Sequence, residues 1–144
     1  MKKLTALCML FFFVGQIVVA QQSKTKMDFT DFDKPTVLTG VSFAANSDKL
    51  LTSSFVALEQ LIAQIKLVNK DVKIVGYSDN TGNAEFNSKL SKRRALAIRD
   101  YLAQHGIAAE HVFAFGKGDE NPIGDNNTAE GRLLNRRIEV SFRK

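Results

Sequence analysis

Residues 71–106 read DVKIVGYSDNTGNAEFNSKLSKRRALAIRDYLAQHG. The opening DVKIVGY alternates well enough for a strand over 71–77. Asn80-Thr81-Gly82 then makes a turn, and a helix is expected from Asn83 until Gly106, a residue suited to the left-handed position that ends helices. At about 100° per residue, Phe86, Leu90, Ala97, Ile98, Tyr101 and Leu102 gather on one side, while Lys89, Lys92, Arg99 and Asp100 fall on the other. Arg94 breaks the division. It lies one turn after Leu90 and one turn before Ala97 and Ile98, on the side where Asn87 also sits.

A guanidinium at the margin of a buried face needs a partner, because desolvating it alone costs several kcal/mol, on the order of a buried unpaired charge. Asp79, just before the helix, is the nearest acid in sequence. Two readings follow. Asp79 is a structural group, bonding to Arg94 or to turn N–H groups; or the two charges flank a pocket that holds a zwitterion, the carboxylate taking an ammonium and the guanidinium gripping a carboxylate. Helical phase does not separate them.

The rest of the chain supplies the frame. MKKLTALCMLFFFVGQIVVA, residues 1–20, has two lysines, an apolar stretch and small residues at its end, which is the pattern of a secretory signal peptide with cleavage expected after Ala20. Gly15 and Gln16 interrupt an apolar run that is already short for a membrane span. Cys8 precedes residues 9–14 of that run, the wrong place for a lipid-modified cysteine, and it is the chain's one cysteine. Removing residues 1–20 takes away Lys2 and Lys3, leaving 18 Lys+Arg against 15 Asp+Glu, a net charge of +3 rather than +5. So mild an excess argues against a nucleic-acid binder. Lys92, Arg93, Arg94 and Arg99 lack interleaved aromatics for base stacking.

Residues 21–36 are polar, without clear periodicity, and read as a flexible lead-in to a single domain over 37–144. VLTGVSF, 37–43, has the β-branched content of a strand. Ser47 or Asp48 is placed to cap a helix reaching Val68, with Leu51, Phe55, Leu58, Leu61, Ile62, Ile65 and Leu67 on its buried face. HVFAFG, 111–116, is a third strand; a polar loop over 117–133 follows; RRIEVSF, 136–142, closes the chain as the last strand. The order β-α-β-α-β-β predicts an α+β fold with helices on one face of a mixed four-stranded sheet.

GYSDNTGNAEFNSKLSKRRALAIRDYL and the later FGKGDENPIGDNNTAEGRLLNRRIEV closely resemble the peptidoglycan-binding domain of the OmpA-like family, which includes the C-terminal domain of outer-membrane protein A, the peptidoglycan-associated lipoprotein and flagellar stator proteins. The likeness covers about 37–142. Its pattern is carried by Gly76-Tyr77-Ser78-Asp79 with Gly82, by Asn87, Leu90-Ser91 and Arg94-Ala95, and by Asn135-Arg136-Arg137. The resemblance implies non-covalent binding of the peptidoglycan peptide stem at its diaminopimelate residue, with no cofactor and no metal. By position, Asp79 would accept the ammonium and Arg94 would clamp the carboxylate. Thr81 and Asn87 would complete the pocket, Arg136 would reach another carboxylate, and Asn46 matches a polar residue after the first strand. Arg137 has the opposite strand parity to Arg136 and is expected to point away. One departure is Ala44, which follows Phe43 where many relatives carry Asp.

Other chemistry is poorly served. The segment beginning at Asp79 has Ala84 and Leu90 where a calcium loop needs Gly and Glu. His105 and His111 lack clustered ligands, and no persuasive pair of catalytic carboxylates or Ser/His/Asp set suggests an enzyme. The signal pattern and the resemblance together imply a periplasmic domain associated with the outer membrane. A second reading is an envelope interaction module with a vestigial pocket, its sheet edges and the 117–133 loop contacting an outer-membrane or envelope protein.

Overall fold

The computed structural model describes residues 32–144, so the expected signal peptide at 1–20 and most of the lead-in lie outside the described residues. Its elements are β1 (Thr36–Val37), α1 (Phe55–Val68), β2 (Val72–Gly76), α2 (Ala84–Gln104), β3 (Val112–Gly116), α3 (Ala129–Asn135) and β4 (Ile138–Phe142). The sheet is mixed, in the order β1-β4-β2-β3. β2 and β3 are parallel and joined through α2, the kind of crossover that parallel pairing requires. β4 slots between β1 and β2, antiparallel to both.

Strand parity builds the core. Val72 and Ile74, Val112, and Ile138 and Val140 form one cluster with Leu58, Leu61, Ile62 and Ile65 of α1 and Ala95, Ile98 and Leu102 of α2. Leu58, Ile74, Ile98 and Leu102 are fully buried, and each such side chain contributes about 1.5–3 kcal/mol relative to exposure. Asn83 caps α2, its side chain accepting the N–H of Phe86. Beyond the helix, Gly106 takes φ +88°.

Two glycines set how closely α2 approaches. A Cβ at Gly76 would lie 2.2 Å from the carbonyl oxygen of Ser91, and one at Gly116 would lie 2.1 Å from the backbone nitrogen of Lys92. The central backbone of α2 therefore rests directly on the ends of β2 and β3. That contact brings Asn87 and Arg94 to the end of the sheet where Asp79 emerges.

Several expectations are corrected. The strand over 37–43 is reduced to Thr36–Val37. Gly40 turns the chain at φ +81°, and the Ser54 hydroxyl ties Ser42 off through both its N–H and C=O at 2.8 Å, away from the sheet ladder. The first helix begins at Phe55 rather than beside Ser47, whose hydroxyl instead closes a local turn onto the N–H of Lys49. Leu67, assigned to the buried face, is 84% exposed, and Leu51 and Phe55 are also exposed. The 117–133 loop is not structureless: its end is the start of α3. The last strand begins at Ile138, so Arg136 and Arg137 form the junction between α3 and β4. The end of the expected flexible lead-in is docked. Phe32 is buried, meets Phe113 edge-on at 6.2 Å between centroids, and lies under the ammonium of Lys73 at 4.9 Å.

Candidate functional site

Three pieces of chain converge where β2 ends. The segment 77–79 leaves β2, α2 starts nearby, and β4 begins there because it runs antiparallel to β2. Backbone bonds fasten the junction: Tyr77 N–H donates to the Arg137 carbonyl at 2.9 Å, and Ser78 N–H donates to the Gly118 carbonyl at 2.7 Å.

Asp79 is 4% exposed, and both of its carboxylate oxygens accept hydrogen bonds. Its Oδ1 accepts the Thr81 N–H at 2.8 Å and also the Thr81 hydroxyl. Oδ2 accepts Nη1 of Arg136 at 2.5 Å. Burial by itself pushes this carboxyl up, but the hydrogen bonds from Thr81 and Arg136 outweigh it and hold the pKa below the ordinary carboxylate range. A depressed native pKa stabilises the fold in full above the unfolded value, about 3.9, and the contribution is lost as pH falls through the native value. The melting-temperature gap between wild type and Asp79→Asn should therefore be widest near neutrality and narrow below about pH 4; a gap independent of pH would contradict the ionised, bonded carboxylate.

Asn87 stabilises the Asp79 turn from the first turns of α2. Its Nδ2 donates to the Thr81 carbonyl at 2.7 Å and, more weakly, to the Asp79 carbonyl at 3.4 Å. Arg94 is half-buried on the next turns of the same helix. Its Nε donates to the Ser47 carbonyl at 2.9 Å, and its guanidinium carbon lies 5.1 Å from the centre of the Phe43 ring. No carboxylate among the described residues lies within ion-pair distance of it. Burial, then the charge of nearby Arg136, lowers its pKa from the ordinary arginine value, with Asp48 acting in the other direction. The group stays charged at neutral pH.

The structure thus brings Asp79, Thr81, Asn87, Arg94 and Arg136 to one end of the sheet. Asp79 is joined to Arg136 and not to Arg94. Asn46 sits differently: it is exposed, with φ +50°, in the turn that presents the Ser47 carbonyl to Arg94. Arg137 points to the helix-free face, as its parity suggests. Its guanidinium lies 3.9 Å over the Tyr77 ring and bonds Glu139 at 2.7 Å and the Asn121 carbonyl at 3.0 Å.

Sequence reasoning missed three supports. Phe43 and the Ser47 carbonyl hold Arg94, and only the tertiary fold brings them to α2. Asn135 is the third. It is buried, accepts the N–H groups of Ile123 and Gly124 at 2.8 Å each, and donates to the Gly124 carbonyl at 2.9 Å and the Asn126 side chain at 2.8 Å. It pins the 123–126 loop beside Arg136. Its place in the Asn-Arg-Arg run was the available signal.

Residues 42–136 match the model of the OmpA family. The chain belongs to that family. Among OmpA-family relatives, the peptidoglycan-binding protein ArfA of Mycobacterium tuberculosis is 37% identical over 101 residues, which make up 69% of this chain and 31% of that protein. Outer membrane protein A of Bordetella avium is 35% identical over 139 residues, covering 88% of this chain and 65% of that protein. The chain therefore spans about a third of the first relative and about two thirds of the second. The solved cell wall anchor of the T6SS from Pseudomonas aeruginosa superposes with a TM-score of 0.65 at 31% identity, covering 71% of this chain and 75% of that one. No helix among the described residues is long and apolar enough to cross a membrane.

Proposed function

We propose that this chain binds peptidoglycan non-covalently through the diaminopimelate residue of the peptide stem and so tethers or scaffolds at the cell wall. The observation that carries this reading is the separation of charges at one end of the sheet: Asp79 is bonded to Thr81 and Arg136, while Arg94, near enough to Arg136 for its charge to be felt, has no carboxylate within ion-pair distance among the described residues. In this reading the ligand carboxylate lies on Arg94, its ammonium on Asp79, and a second carboxylate reaches Arg136. Thr81 and Asn87 act mainly by shaping the Asp79 turn, and Asn46 by shaping the turn behind Arg94. The function is binding rather than catalysis. The names of the ArfA and T6SS-anchor relatives support the ligand class, and the expected signal peptide supports a periplasmic site of action near the outer membrane.

Sedimentation with purified peptidoglycan tests this. Asp79→Ala and Arg94→Ala should each weaken retention by about tenfold or more, since each removes a charge-assisted hydrogen-bonding group. Wild-type retention should also fall as salt is raised. Equal retention by all three folded proteins would remove the reading.

A further inference from the structure

Arg136 occupies a position that the binding reading assigns to the ligand. Oδ1 of Asp79 is taken by the two bonds from Thr81, which leaves Oδ2 as the oxygen able to receive an incoming cation. Oδ2 already holds Nη1 of Arg136 at 2.5 Å. The two partners differ in freedom. The Asp79 side chain is 6% exposed and the Arg136 side chain 43%, so the group able to swing out is the arginine. It also sits on the short α3–β4 junction rather than within a strand.

We propose that Arg136 is an internal cation that fills the ammonium seat of Asp79 and thereby sets specificity: the site exchanges this ion pair for two new ones only with a ligand that brings both an ammonium and a carboxylate. This rests on the zwitterion-binding reading above and adds the identity of the gate. Asp79, Arg94 and Arg136 together carry a net charge of +1. An amine without a carboxylate would free the Arg136 guanidinium beside the like-charged Arg94 and bring neither arginine an anionic partner. A carboxylate without an amine would meet Arg94 and the outer side of Arg136 and leave the Asp79 pair intact. A zwitterion replaces one ion pair by two, because the ammonium takes Oδ2 and the displaced guanidinium receives a carboxylate. Selection against simple cations thus comes from competition inside the protein.

The test uses three probes of similar length on the purified chain: diaminopimelate, cadaverine with ammonium groups only, and pimelate with carboxylates only, titrated into wild type and Arg136→Gln by calorimetry or NMR. Opening the seat should strengthen cadaverine binding by about tenfold and weaken pimelate binding by about tenfold, a change of ~1.4 kcal/mol each way. Cadaverine affinity that is unchanged or lower in a variant with a wild-type melting curve overturns the gate. Should Arg136→Gln not fold, Arg136→Met carries the same comparison, since it also removes the cation: a rise for cadaverine supports the gate, and no rise overturns it. Failure here is distinct from failure of the binding reading. Peptidoglycan retention lost in Asp79→Ala, with no cadaverine gain in the Arg136 variants, removes only the gate, whereas retention that ignores Asp79→Ala and Arg94→Ala removes both.

Discussion

Gly116→Ala is expected to destabilise the protein by about 3 kcal/mol or more, at or beyond the upper end of ordinary overpacking. The added methyl would lie 2.1 Å from the Lys92 nitrogen and 2.5 Å from the Lys92 Cα. Neither atom can yield by a rotamer change, because both belong to the backbone in the middle of a 21-residue helix. The helix as a whole must lift from β3, and doing so opens contacts of Ala95, Ile98 and Leu102 with the sheet. Lifting α2 also moves Asn87 and Arg94 relative to the Asp79 turn. A urea titration followed by circular dichroism measures the loss, and peptidoglycan retention of the remaining folded fraction should be impaired as well. A midpoint equal to wild type would show that α2 is less tightly seated than the backbone distances require. Gly76→Ala, 2.2 Å from the Ser91 carbonyl oxygen, should behave alike.

The second large effect belongs to a residue that would not touch a ligand. Asn135→Ala should cost about 3 kcal/mol, since it removes four hydrogen bonds at a buried position and leaves several backbone groups to find water. Ile123 N–H, Gly124 N–H and Gly124 C=O all depend on that one amide. Asn135→Asp is the sharper comparison. A carboxylate keeps the two accepted bonds but cannot donate to the Gly124 carbonyl or to Asn126, so its loss should be similar or larger at neutral pH. Because the loop is packed through Gly131, where a Cβ would sit 2.0 Å from the Asp125 carbonyl oxygen, its release should also loosen the α3–β4 junction that carries Arg136. Hydrogen exchange of the Ile123 and Gly124 amides provides the direct readout. Unchanged protection in Asn135→Ala would contradict the anchoring role.

What could be read from the linear chain follows physical range. Helix α2 was legible because its apolar residues recur at helical spacing and because Asn83 and Gly106 mark its ends by local chemistry. The half-buried state of Arg94 was legible for the same reason, as helical phase places it between Leu90 and Ile98. β2 was legible from the alternation of DVKIVGY, and β3 from the short run HVFAFG. By contrast, α3 carries exposed Leu133 and Leu134 and a glycine at 131, and it is held by loop contacts rather than by an apolar stripe. No periodic signal exists for a helix of that kind. β1 was over-extended because the hydroxyl of Ser54, twelve residues on, removes Ser42 from the ladder.

By itself, then, the sequence determined the elements whose stabilising pattern is local, the family, and the set of charged residues that share one region. Which charge meets which was decided by the tertiary structure. Asp79 and Arg94 are fifteen residues apart and invite pairing on paper, yet the partner of Asp79 is Arg136, fifty-seven residues away. The antiparallel register of β4 against β2 sets Ile138 opposite Gly76, and so carries the preceding arginines to the mouth of β2. Arg94 is drawn instead to Phe43 and the Ser47 carbonyl by the turn after β1. Ion pairs are selected by distance and desolvation in three dimensions, and neither quantity is encoded in separation along the chain.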